Sequence, residues 1–207
     1  MKTIFTFFED AFSPHLDALI GAPELTRHFA FETHRSIEDF AALDPGAYAA
    51  LCLYVNVPSI GDGPYRKLLE FIRRGGGLMA FHATSNAFRN QPSFFDVLGA
   101  RFVRHGKIGR YAVEPAGAED PLAADAGEFE IEDELFRQRY RSGIRIHCVY
   151  RGPRIVEPVV WSNRYGKGAV VGISPGHRVE TMKVENIRTI VGNGLRMIVT
   201  PSPPVNF

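Results

Sequence analysis

Seven residues of this chain combine reactive chemistry with a setting suited to a ligand: His15, Asn56, His82, His105, Glu134, His177 and Glu180. Neutral imidazole nitrogens and carboxylate oxygens are common ligands for zinc and similar divalent ions, and they also serve as general acids and bases near neutral pH. His82 is the sharpest of the seven. It stands in GGGLMAFHATSN, where an apolar run passes into a loop of small residues. Two readings are open for it: a functional group at a strand end, or a histidine whose ring is satisfied by a backbone carbonyl. Glu134, inside EIEDELF, is either a ligand or base, or an ordinary solvated acid. Glu180 lies three residues after His177, close enough on one turn to orient that ring. The spacings among His82, His105, Glu134 and His177 are long, so no local metal signature exists. A shared metal shell, with zinc as a natural occupant, would have to be assembled by the fold.

Other chemistries find less support. Gly75-Gly76-Gly77 precede a strand-like run instead of opening a helix, so they lack the oriented N–H groups of a phosphate loop, and Gly166-Lys167-Gly168 lacks the Walker spacing. No nucleotide cofactor is expected. There is no Gly-x-Ser-x-Gly or Gly-x-Cys-x-Gly elbow, and nothing in sequence pairs Ser85 with a base. Cys52 and Cys148 lie in apolar stretches without metal-type spacing and read as small buried hydrophobes. A net charge of +1 offers no field for nucleic acid or an anionic membrane, and Arg137–Arg145 reads as a solvated face. No apolar run is long enough to cross a bilayer, and the opening MKTIFTFFED has no signal-type apolar region, so a cytoplasmic location is expected.

These residues need elements to position them. KTIFTFFE (2–9) reads as a strand, SPHLDALIG (13–21) as a helix with Ser13 as its cap, and 27–33 as a second strand. Ser36 opens a short helix in which Asp39 completes a capping-box pattern. AALCLYVNV (49–57) is an almost continuous apolar run, as a central parallel strand requires. Gly61 to Pro64 read as a turn, 65–74 as a helix and 78–83 as the next buried strand. This alternation predicts a doubly wound, mostly parallel sheet. Ligands bind beyond the carboxyl ends of such strands, which is where His15, Asn56, His82 and His177 fall. From Lys107 to Gly176 the pattern is mostly strands, with a hairpin turn at Tyr165–Gly168, before a final helix over 184–199 interrupted by Gly192 and Gly194. A PSPPVNF tail follows. The 207 residues fit one domain, 1–207, and at 45% hydrophobic can fill a core.

Several spaced motifs over about residues 65–197, namely GGGLMAFHA, FFDVLGARFVRHG, FEIEDELFR and EPVVWSNRYGKGAVVGISPGH, occur in the order found in ThuA-like (trehalose utilisation) proteins, and the chain resembles that family. The resemblance implies a class I glutamine amidotransferase-like fold, a flavodoxin-like three-layer sandwich. His82 then stands near the position of the amidotransferase cysteine, and His177 with Glu180 near the late His-x-Glu pair, at a spacing one residue longer. Without a thiol there, glutamine hydrolysis has no nucleophile. Phe136 replaces the Tyr that usually ends the Asp-Glu-Leu segment, and Asp120-Pro121 stands where a His-Pro often occurs. What the resemblance implies about function is breakdown of trehalose- or sucrose-type glycosides through keto-sugars made by a partner sugar dehydrogenase. His82, His177, Glu134 and Glu180 would be the catalytic set, with His82, His105, His177 and Glu134 able to hold a divalent metal such as zinc. His15, Asn56 and Trp161 would meet a small sugar or keto-sugar. A non-catalytic carbohydrate-binding or regulatory module is the alternative, and a homo-oligomer is open.

Overall fold

The computed structural model describes residues 1–200, so the PSPPVNF tail lies outside the described residues. Strands and helices alternate at first: β1 (Lys2–Phe8), α1 (Ser13–Ile20), α2 (Pro23–Thr26), β2 (Phe29–His34), α3 (Ile37–Ala42), β3 (Ala50–Tyr54), α4 (Asp62–Arg73), β4 (Gly77–Phe81) and α5 (Phe94–Leu98). A run of strands follows: β5 (Ala100–His105), β6 (Gly109–Pro115), β7 (Phe129–Asp133), β8 (Phe136–Tyr140), β9 (Arg145–Gly152), β10 (Ile155–Tyr165) and β11 (Gly168–Ile173). Helix α6 (Glu185–Val199) closes the series.

Nine strands form one sheet in the order β2-β1-β3-β4-β11-β10-β9-β6-β7, and β5 pairs with β8 apart from it. The first five are parallel, in the 2-1-3-4-5 order of a flavodoxin-like sheet whose fifth strand is delayed by a long insertion. From β11 outward every pairing is antiparallel, which is what the strand-rich stretch after Lys107 supplies. Both faces of the parallel half are covered. Leu51 and Leu53 pack with Phe5, Leu68 and Ile72 on one side, while Cys52 and Tyr54 pack with Met79 and Leu195 on the other. This two-sided burial is why β3 and β4 read as unbroken apolar runs. Cys52 and Cys148 are buried, and burial pushes both thiols up to about 12, so neither supplies a thiolate.

Several local expectations are corrected. Ser13 is the first residue of α1, which Phe12 precedes as cap. Ser36 does cap α3 through the Glu38 N–H (3.1 Å), but the Asp39 carboxylate faces His34 (3.6 Å). Residues 62–64 belong to α4, whose first turn accommodates Pro64. Glycines 192 and 194 do not interrupt α6. A Cβ on Gly194 would lie 2.7 Å from the Met79 methyl, so the missing side chain lets the helix settle on the sheet. The arginines of 137–145 are not simply solvated: Arg137 pairs with Glu157 (3.2 Å), Arg141 with Asp96 (3.5 Å) and Arg145 with Asp120 (3.3 Å), and Arg139 lies over the Phe95 ring. Trp161 is a core residue and not a sugar-binding one. It is 2% exposed, and its indole N–H donates to the Leu98 carbonyl (2.8 Å).

Trp161 also explains the second glycine of GAVVG. A Cβ on Gly172 would fall 2.2 Å from the indole ring. Gly172→Ala is therefore expected to cost about 1–3 kcal/mol by overpacking, read by urea denaturation. Gly194→Ala meets only the flexible end of Met79 and regains about 1 kcal/mol of helix propensity, so it should stay within about 1 kcal/mol of the parent. Equal losses at both positions would sink this packing account.

Candidate active site

The carboxyl ends of β1, β3, β4 and β11 lie along one edge of the sheet, and His82 is the first residue past β4. Its φ of +42° is in the left-handed region that residues with a Cβ rarely enter. Neighbouring hydrogen bonds hold this turn. The Thr84 hydroxyl donates to the Leu53 carbonyl (3.0 Å) and accepts from the Val55 N–H (3.1 Å), while Ser85 Oγ donates to the His82 carbonyl (3.2 Å). His82 Nδ1–H donates to the Ser174 carbonyl (2.9 Å), an acceptor that fixes the tautomer and leaves a lone pair on Nε2. The backbone-satisfied reading of His82 therefore holds for one nitrogen, and the other nitrogen remains open.

Glu134 occupies the space in front of that open nitrogen. Its Oε2 lies 3.8 Å from His82 Nε2 and 3.3 Å from His177 Nδ1, and its Oε1 lies 3.1 Å from His105 Nδ1. It is no ordinary solvated acid, being 12% exposed and surrounded by three imidazoles. One ligand atom each from His82, Glu134 and His177 fall within 4.8 Å of one another. His105 stands outside this group, against the far oxygen of Glu134, with its Nδ1–H also directed to the Gly106 carbonyl (2.8 Å). Phe136 packs on the His82 ring with centroids 4.2 Å apart.

The residue that assembles this cluster is Asp133, which sequence reasoning passed over in favour of its neighbour. Fully buried at the end of β7, its carboxylate accepts the backbone N–H groups of Glu134 (2.7 Å), Gly176 (3.2 Å), His177 (2.9 Å) and Arg178 (3.3 Å), together with the Thr181 hydroxyl. It thereby ties the loop after β11 to the strand end that carries Glu134. The signal was the Asp-Glu pair itself: one carboxylate facing the site, the next facing backbone. His15 supports the same loop by donating Nε2–H to the His177 carbonyl (2.9 Å), and the Tyr54 hydroxyl binds the Gly176 carbonyl.

Two other expected residues lie apart from the cluster. Asn56 is exposed and accepts from the Asn86 side-chain amide (2.9 Å). Glu180 is exposed as well and pairs with Arg178 (3.4 Å); its own backbone N–H and that guanidinium hold its carboxyl below the usual range. The carboxylate that meets the His177 ring is that of Glu134, and the orienting role expected of Glu180 passes to it. A second network also went unanticipated. Asp120 accepts from His147 Nδ1–H (2.8 Å), and His147 Nε2 meets Ser162 Oγ (2.8 Å). The atom order is that of a hydrolase triad. However, the imidazole has no exposed surface and Ser162 sits within β10 instead of at an elbow, so the network bolts the turn at 120–126 to the antiparallel strands.

Removing one acceptor from Asp133 should loosen the loop that carries His177. Asp133→Asn is expected to lose about 2–4 kcal/mol, since an amide N–H would confront backbone donors, measured by chemical denaturation. Acid should destabilise the parent too. Burial pushes the His82 imidazole down to about 4 and holds His147 below the usual histidine range. Between pH 6.5 and 4 the unfolded chain binds a proton at His82 that the folded chain refuses. Stability is then complete above about pH 6.5 and falls as pH drops, by up to about 1.4 kcal/mol per unit for each such group. His82→Asn, which suits the left-handed backbone, should flatten that slope; an unchanged slope would remove His82 as a cause.

Among the described residues no helix is long and apolar enough to cross a membrane. Comparison with solved structures brings out a ThuA-like protein from Parabacteroides merdae, with a TM-score of 0.83 at 19% identity over 99% of this chain and 92% of that one. A cytoplasmic protein from Salmonella typhimurium aligns with a TM-score of 0.70 at 13% identity, covering 96% and 99% of the two chains. A β-galactosidase from Bacillus circulans sp. alkalophilus aligns with a TM-score of 0.67 at 9% identity, over 94% of this chain but 30% of its own. At these identities the likeness establishes the fold. No curated protein matches the sequence significantly. The family model for ThuA, described as trehalose utilisation, matches residues 17–198, and the chain belongs to the ThuA family.

Proposed function

We propose that this protein is an enzyme of carbohydrate breakdown that acts on a keto-sugar at the His82–Glu134–His177 cluster, with a divalent cation such as Zn²⁺ as cofactor. The convergence of these three residues at the carboxyl edge of the parallel strands is the observation that carries this reading. Zinc bonds of about 2.0–2.2 Å place tetrahedral ligand atoms roughly 3.3–3.6 Å apart. The 3.3 and 3.8 Å separations from Glu134 Oε2 are close to such edges. His82 is prepared as a ligand, because its Nδ1–H is already committed to Ser174. Held by His82, Glu134 and His177, such an ion would supply Lewis-acid polarisation of a carbonyl oxygen.

The chain's own groups supply the proton chemistry. A carbonyl makes the neighbouring C–H acidic, so isomerisation or eliminative cleavage of a keto-glycoside needs a base beside an electrophile. His105 suits the base. Its Nδ1–H is held by Gly106 and Glu134, which leaves Nε2 free to accept a proton while the carboxylate stabilises the resulting imidazolium. Glutaminase activity has no support, since His82 is not a thiol and both cysteines are buried. In this reading a sugar dehydrogenase supplies the keto-sugar and the reaction is cytoplasmic, in keeping with the naming of the Salmonella relative. A second reading, a carbohydrate-binding module without chemistry, draws on the recurrence of this fold as about 30% of a β-galactosidase chain.

The test joins elemental analysis to turnover of 3-keto-trehalose and 3-keto-sucrose by the purified protein. About one equivalent of zinc or a similar ion is expected, with Glu134→Gln losing the ion and at least about a hundredfold in turnover. Sugar binding without turnover by the metal-loaded protein would favour the module. No transition metal above background, together with undiminished turnover by Glu134→Gln, would overturn the proposal.

A further inference from the structure

Beside the histidine–glutamate cluster, and sharing His105 with it, is an open cleft of about 360 Å³. Four cationic side chains line it: Arg104, Lys107, Arg110 and Arg137. Among the described residues Asp133 is the one carboxylate in the lining, and its oxygens are already taken by four backbone N–H groups and the Thr181 hydroxyl. Arg137 is paired with Glu157 at 3.2 Å, whereas Arg110 is only loosely paired with Glu132, at 4.0 Å. Arg104 and Lys107 form no ion pair among the described residues. The chain as a whole carries a net charge of +1, so this concentration does not reflect general basicity. Tyr111 and Tyr150, ring centroids 5.7 Å apart, add aromatic surface to the same cleft.

Converging cations with little counter-charge raise the local concentration of anions, and arginine forks match the oxygens of phosphate and carboxylate. Aromatic faces beside them suit the C–H faces of a sugar ring. We infer that this cleft binds an oxyanion, phosphate or carboxylate, carried by the sugar whose reacting carbons lie at the His82–Glu134–His177 cluster. The preferred substrate class is then an acidic keto-sugar, carrying a phosphate or a carboxylate, while neutral keto-sugars reach the cluster without the contribution of the cleft. The inference rests on the functional reading above for the identity of the cluster as the reacting site, while the cleft itself is tested independently of it.

The experiment is calorimetric titration of the chelator-treated, metal-free protein with glucose 6-phosphate, glucuronate and glucose, repeated with an Arg104→Gln/Lys107→Gln double variant. Both substituted residues are exposed, so the fold should be unaffected, which melting temperature checks. At least one acidic sugar should bind about tenfold or more tighter than glucose, with affinity falling as salt rises. The stronger of the two identifies the oxyanion. The double variant should lose that preference and keep the parent's metal content and melting temperature. Equal binding of acidic and neutral sugars, or a double variant that binds like the parent, would overturn the cleft. Because binding is read without metal, a failure of the metal chemistry would leave this result legible, and turnover that survives the double variant would discard only the cleft.

Discussion

Asp133 has no exposed surface, yet it is met by five donors from two distant stretches of chain. A buried carboxylate in that position is stable only if its oxygens are saturated, and backbone N–H groups of a loop that turns back on itself saturate them well. The exchange runs both ways. The loop from Ser174 to Arg178 could not bury its N–H groups without an acceptor, and the acceptor could not be buried without the loop. His177 is carried on one side of this contact and Glu134 on the other. Asp133 therefore fixes how far apart the backbones of these two residues stand.

His82 obeys a similar logic on the β4 side. A left-handed backbone at a residue with a Cβ is costly, and the hydrogen bonds of Thr84 and Ser85 hold it in place. The turn directs the imidazole between Ser174, which takes one nitrogen, and Glu134, which faces the other. Burial then keeps the ring neutral through the physiological range, as a ligand or an acceptor must be. Phe136, packed on the ring, contributes to that burial without offering a hydrogen bond.

The antiparallel wing is what distinguishes this sheet from a plain five-stranded parallel one. β7 ends at Asp133, β8 begins at Phe136, and the two residues between them bend the chain so that Glu134 faces the parallel half. β5, paired with β8, delivers His105 to the same carboxylate and ends at the cationic cleft. Glu134 and His105 thus arrive from antiparallel elements, whereas Ser174 and His177 follow a parallel strand.

Much of this was legible in the residues alone. The apolar runs at 49–57 and 78–83 suit strands buried on both sides, and the ends of such parallel strands lie at the ligand-binding edge, where His82 falls. Sequence periodicity carries such information because burial repeats along an element. Pairings between elements carry no such repeat. Nothing in EIEDELF separates the carboxylate that faces the site from the one that binds backbone, and nothing near Glu180 shows that it turns to Arg178. Trp161 was expected to meet a sugar through the family resemblance, whereas the indole fills the space that Gly172 leaves. The chain by itself determined the flavodoxin-like half and the strand-end histidines. Only the tertiary structure decided which acid meets them, because that choice depends on contacts between residues dozens of positions apart.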